Sequence, residues 1–290
     1  MKGNFRFFKN FTYFVPGGAQ IAVLFFWFVV GALLGNILVF LMALCLPSDV
    51  ISDYGTIVAY PVMFIPPMIY ASGKSRLASI NRQGVLLDNS HFKPFSVAIL
   101  LLMLAVATLA LGLICEPVNS LLPEMPAWLE ETLDSLVDGK LWAGFIAVSV
   151  FAPVCEEWLC RGVVLRGLLA NNVKPWLAVV LSAFIFALIH LNPWQAVPAV
   201  CLGLLFGYVY YRTGSLKLTM WMHFVNNTFA LVAGHYLSEV DSFQLLLGDL
   251  FWPVFAASVV VVALVFLALR RIELKDPSGN LERVPSLFEQ

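Results

Sequence analysis

An all-α, polytopic bundle of transmembrane helices is the fold this sequence predicts, and three observations predict it. The 290-residue chain is 60% apolar and only 12% charged, whereas a soluble domain carries about 25% charged residues. So few charges cannot coat a water-soluble body of this size. Uncharged apolar runs, each near the roughly 20 residues a bilayer core requires, recur eight times. Lys and Arg fall on alternate loops between those runs, as they do on short cytoplasmic loops of membrane proteins. The same figures argue against a disordered chain. A net charge of −1 leaves no basic surface for a nucleic-acid partner.

The runs lie at 20–46, 56–73, 95–115, 141–155, 176–191, 194–211, 218–236 and 250–269. Met1 to Asn10 is basic and aromatic, and the first run is too long for a signal peptide, so no cleavable leader is expected. Pro61, Pro66 and Pro67 interrupt the second run, which is expected to kink. Glu116 to Gly139 is acidic, with Trp128, Leu129, Leu133 and Leu136 at helical spacing, and reads as an amphipathic helix on the outer face. The fourth run continues past its own charges toward Ala170. Asn171-Asn172-Val173-Lys174-Pro175 turns the chain into the fifth, and Leu191-Asn192-Pro193 connects tightly to the sixth. Glu273 to Gln290 is a polar tail with Pro277, Gly279 and Pro285, expected to be poorly ordered.

Of the 17 basic residues, 16 fall on one set of alternating segments: the N-terminus, the second loop, the region of the fourth loop, the sixth loop and the tail. Lys140 alone falls opposite. About eight spans with both termini cytoplasmic follow, in an integral multi-pass protein of the cell (inner) membrane. The five cysteines, Cys45, Cys115, Cys155, Cys160 and Cys201, lack the paired spacing of a metal or redox motif. They read as small buried hydrophobes.

Ionisable groups inside membrane segments are expensive, and are functional candidates by default. Three places stand out: Cys155-Glu156-Glu157-Trp158-Leu159-Cys160-Arg161, then Phe186 to His190, then His223-Phe224-Val225-Asn226-Asn227. Glu157 and Arg161 are four residues apart, so they share a helix face and can pair. Glu156 points about 100° away from Glu157 and is free to face another group. His223 and Asn227 share a face, as do Phe186 and His190. Glu156 lies 17 residues before Val173, the midpoint of a turn, and His190 lies 17 after it. Both therefore stand about 25 Å from that turn. His223 fits this height less well on straight helices. His91 and His235 lie in or near loops and read as ordinary surface residues.

A carboxylate, two imidazoles and a carboxamide suggest hydrolysis. A glutamate can take a proton from water, and imidazoles can either hydrogen-bond that water or hold a zinc ion with an open position. Asn227 can donate to the oxyanion of a tetrahedral intermediate. Other intramembrane protease chemistries are absent: there is no His-Glu-x-x-His, no Gly-x-Ser-Gly, and no aspartate in an expected span.

The ordered set Glu156-Glu157-x-x-x-Arg161, Phe186-x-x-x-His190 and His223-x-x-x-Asn227 resembles the three-motif signature of the CPBP family. These are the CAAX-protease and bacteriocin-processing (Abi-type) intramembrane proteases, related to type II CAAX prenyl endopeptidases. The resemblance covers about 140–236. It implies a helical catalytic core with a cavity open to the cytosol, acting on a peptide or membrane-protein substrate in the lipid bilayer. It makes Glu156 the water-activating base and His190 and His223 the holders of the water. Asn227 becomes the oxyanion donor, and Glu157 with Arg161 orients the fourth helix. Glu156, His190 and His223 are the ligand set if a metal, zinc, is used. The chain then divides into an N-terminal membrane region (1–139), the catalytic core (140–236), and a last span with a cytoplasmic tail (237–290). The rival reading is a non-catalytic membrane protein of the same fold: an immunity factor, a scaffold or a transporter-like module. Transporters, however, place such residues on broken helices in repeated halves, and no repeat is visible here.

Overall fold

The computed structural model describes residues 6–129, 140–237 and 242–289. Among these the chain is helical almost throughout: α1 (Gly18–Ala43), α2 (Ser48–Ala78), α3 (Val97–Asn119), α4 (Leu141–Ala170), α5 (Pro175–Leu188), α6 (Pro193–Thr213), α7 (Leu216–Tyr236), α8 (Phe243–Leu247) and α9 (Phe251–Leu269). A 3-10 turn at Arg6–Phe11 precedes them. Two-residue strands, β1 (Gly84–Val85) and β2 (Arg283–Val284), pair antiparallel.

Local chemistry sets the helix ends. Ser96 Oγ caps α3 by accepting from Ile99 N at 3.3 Å, and Asn192 Oδ1 caps α6 by accepting from Gln195 N at 2.8 Å. Pro175 and Pro193 occupy first helical positions, where a missing N–H costs nothing. Gly214 ends α6 with φ +63°, and a Cβ there would stand 2.3 Å from Asn280 O, so only glycine fits. α2 runs through Pro61, Pro66 and Pro67 without a break in the helix.

All eight apolar runs are helical. Among the described residues six stretches are long and apolar enough to cross a bilayer: α1, α2, α3, α4, α6 and Phe243–Leu269. α5 is a 14-residue helix, and α7 is not among the six. Together these helices form the bundle of an integral multi-pass membrane protein. Glu116 belongs to α3, which continues through Pro117 to Asn119. The expected outer amphipathic helix thus begins later than the sequence suggested. Its Glu130–Gly139 portion, with Leu133 and Leu136, lies outside the described residues.

Two packed clusters hold the bundle. The first joins Phe8, Phe11 and Phe14 of the N-terminus to α1, α2, α4 and α5. The second joins α3, α6, α7 and α9 through Leu100, Leu104, Phe206, Met222, Val265 and Leu269. α1 and α2 approach closely, because a Cβ on Gly31 would stand 2.0 Å from Met63 O and one on Gly35 2.9 Å from Ala59 O. Small residues four apart let membrane helices make this kind of contact.

Two expectations are corrected. Arg161 and Arg166, assigned to the region of a loop, are fully buried within α4. Arg166 donates to Phe11 O at 3.3 Å, Thr12 O at 3.2 Å, Phe14 O at 2.5 Å, Gly162 O and Val85 O. It therefore ties the N-terminus and β1 to α4 with no carboxylate involved. The tail is also ordered where it was expected not to be. Asn280 donates from its side chain to Arg212 O and Glu273 O and accepts from Lys275 N at 2.9 Å, and β2 pairs with β1. The prolines and glycine that suggested disorder shape a turn that docks on the end of α6. At the start of α4, the hydrogen bond to Asp53, then that to Tyr54, holds the exposed Lys140 ammonium above its ordinary range.

Candidate active site

The site is built on α4, which is not a regular helix. Its Ala152–Glu157 segment is α-helical, and π-helical turns flank it at Phe145–Phe151 and Trp158–Leu165. Such turns disturb the regular i→i−4 ladder and are frequent at functional sites. Side chains take up backbone carbonyls along them: Asn227 Nδ2 donates to Val148 O at 2.8 Å, and Ser182 Oγ donates to Cys160 O at 2.9 Å. The two glutamates sit between these irregular turns, reached by Tyr60 of α2 and His223 of α7.

Glu157 is wholly buried and ion-paired. Arg161 Nη1 lies 2.5 Å from its Oε1, and Arg161 Nη2 donates to Gly203 O at 3.1 Å. The guanidinium stacks near Phe186 at 4.5 Å and Phe206 at 5.3 Å, which exclude water from the pair. The same Oε1 lies 3.1 Å from His223 Nδ1. A carboxylate already paired with arginine accepts here, so Nδ1 carries the hydrogen and Nε2 points away. That Nε2 faces Glu156 Oε2 at 3.9 Å. Glu156 is 6% exposed and His223 3%, so this gap lies in the protein interior.

Glu156 divides its two oxygens. The hydroxyl of Tyr60, from α2, donates to Oε1. Oε2 has no hydrogen-bond partner among the described residues. Sequence reasoning missed Tyr60, a tyrosine in a proline-broken apolar run with no motif around it. Its partner stands 96 residues away, and no linear signal joins the two.

His190 occupies the edge of the group. Its Nδ1 lies 2.8 Å from Phe186 O, which makes Nδ1 the donor and leaves Nε2 with its lone pair. The Phe186 ring meets His190 at 5.2 Å and His223 at 5.4 Å, edge-on to both. Phe186 thus touches both imidazoles. The straight-helix estimate paired His190 with Glu156 and left His223 too low. In the structure it is His223 that lies against both glutamates. Asn227, one turn beyond His223, gives one amide hydrogen to Val148 O and accepts from Asn226 Nδ2 at 3.0 Å.

A three-ligand metal centre does not fit this arrangement. Among the described residues no three His, Cys, Asp or Glu side chains gather closely enough to share an ion. The set Glu156, His190 and His223 is not such a group.

A buried, unequal glutamate pair addressed by an imidazole, on irregular helices of a membrane bundle, defines a polar site inside an apolar body. Residues 138–229, from the start of α4 to the middle of α7, match the family described as type II CAAX prenyl endopeptidase Rce1-like. A protein of Bacillus subtilis (strain 168) described as "Putative membrane peptidase YdiL" is 26% identical over 112 residues, covering 37% of this chain and 46% of that protein. The chain thus aligns with about half the length of that relative. No solved structure matches. Through this α4–α7 region the chain is similar to the CPBP, or CAAX protease, family.

Proposed function

We propose that the protein is an intramembrane endopeptidase in which Glu156 activates water to attack a peptide bond. The observation that carries this reading is the Glu156 Oε2–His223 Nε2 gap, buried and lined by one acceptor oxygen and one ring nitrogen. A water between them has an acceptor for its proton and a second partner to orient it. Glu157 and Arg161 fix the His223 tautomer through Nδ1. The second amide hydrogen of Asn227 serves the oxyanion, and His190 Nε2 addresses the substrate side of the cavity. Glu156 protonates the departing amine and is regenerated. The arrangement needs no metal step.

Eight crossings with both termini in the cytosol accompany this reading, with the cavity open to that side and the chain in the cell membrane. The basic N-terminus, second loop and tail support that orientation. Substrates are peptides or membrane proteins that reach the cavity through the bilayer.

The test is cleavage of membrane-anchored peptides by purified protein in vesicles. Glu156→Gln is expected to lower kcat at least ~1000-fold, as removal of a water-activating base does. Wild-type cleavage is expected to survive chelation, with no zinc in the purified protein. Equal cleavage by wild type and Glu156→Gln sinks the reading. Stoichiometric zinc that is lost with His190→Ala replaces the water-only step.

A further inference from the structure

Tyr60 comes from α2, outside residues 138–229, yet its hydroxyl donates to the one carboxylate the proposed chemistry depends on. The contact splits the work of Glu156. Oε1 is held by the phenol, while Oε2 remains unpartnered toward His223. An unheld carboxylate rotates about its terminal bond and presents either oxygen; one tethered through Oε1 presents Oε2.

The α2 backbone is fixed at this height from the opposite side. Gly35 of α1 packs on the carbonyl of Ala59, the residue before Tyr60, and Gly31 packs on Met63 one turn further. The Tyr60 ring rests beside Phe64, 5.9 Å between centroids, and Phe64 in turn meets Phe28 of α1 at 5.4 Å. A chain of close contacts therefore runs from a membrane-facing hairpin to the glutamate.

We infer that Tyr60 is a positioning residue for Glu156, and that the α1–α2 hairpin acts on the site by holding Tyr60 in register. This rests on Glu156 being the base. Tyr60 acts through the carboxylate it touches, so it governs the rate of the chemical step and not substrate binding. No proton passes through the phenol.

Tyr60→Phe keeps the ring and removes only the O–H. The expected result is a fall in kcat of about 10- to 100-fold, the worth of one hydrogen bond to a charged group, with KM unchanged; the same lost bond also lowers the melting temperature modestly. Unchanged kcat overturns the inference, and so does a loss accompanied by an equal change in KM. Gly35→Leu, which must push α2 from α1, is expected to lower kcat in the native background and to add little to Tyr60→Phe; fully additive losses overturn the role of the hairpin. A readout independent of turnover separates this inference from the endopeptidase reading. The infrared difference between wild type and Glu156→Gln isolates the Glu156 carboxyl band. That band is expected to move in a Tyr60→Phe background, and a band at the same frequency overturns the inference even if no peptide is ever cleaved.

Discussion

α4 and α9 are both apolar enough to span a bilayer, but they use their apolar residues differently. In α4, 61% of the most apolar stretch is buried inside the protein; in Phe243–Leu269 the figure is 17%. α9 shows most of its face to lipid, with Leu264 and Leu267 outward, and a leucine there exchanges one hydrocarbon neighbour for another. From Glu156 to Ala170 every residue of α4 is buried. Only such a helix can carry two glutamates and two arginines at full burial, because each charge needs protein groups arranged about it before water is removed. Function therefore concentrates on the span least exposed to the membrane.

That contrast can be broken from either side. The largest structural effect is expected from Arg161→Met, which strands Glu157 and its His223 contact in the interior; about 3–5 kcal/mol of stability is lost, read as a lower melting temperature in detergent. If the variant melts like wild type, the pair is not a determinant of the α4 core. Arg166→Met comes next. It removes the donors shared by Phe11, Thr12, Phe14, Val85 and Gly162 carbonyls, at roughly 2–3 kcal/mol once some of those carbonyls find water. Proteolysis is expected to open the N-terminal segment first, and cleavage elsewhere would show that the arginine does not tether it. Leu267→Ala on α9 sharpens the comparison from the opposite end: its melting temperature is expected to shift by no more than about 0.5 kcal/mol allows. A larger loss would mean that α9 packs on protein and not on lipid.

How much was legible depended on whether the interaction was local. Glu157 and Arg161, one helical turn apart, pair as the spacing indicated. The run at 141–155 continues to Ala170 as expected, and the tight turns at Asn171–Pro175 and Leu191–Pro193 fall where the sequence put them. Counting residues on straight rods left the meeting of His223 with the glutamates open, and the π turns of α4 were announced by no residue pattern. The ordered tail was missed for a related reason. Asn280 gains its partners from Arg212 and Glu273, and a polar, proline-bearing segment looks disordered until such a dock exists.

By itself the sequence determined the solvent and the local pairings. Eight apolar runs too poor in charge for water commit the chain to a bilayer, and the three motifs in order mark where polar chemistry interrupts them. Only the tertiary structure decided which imidazole meets the glutamates, that Phe186 touches both histidines, and that Tyr60 from a distant helix holds Glu156. The physical reason is distance along the chain: composition and helical period act within a few residues, whereas the site is made by side chains 60 to 100 positions apart, and helix packing alone brings those together.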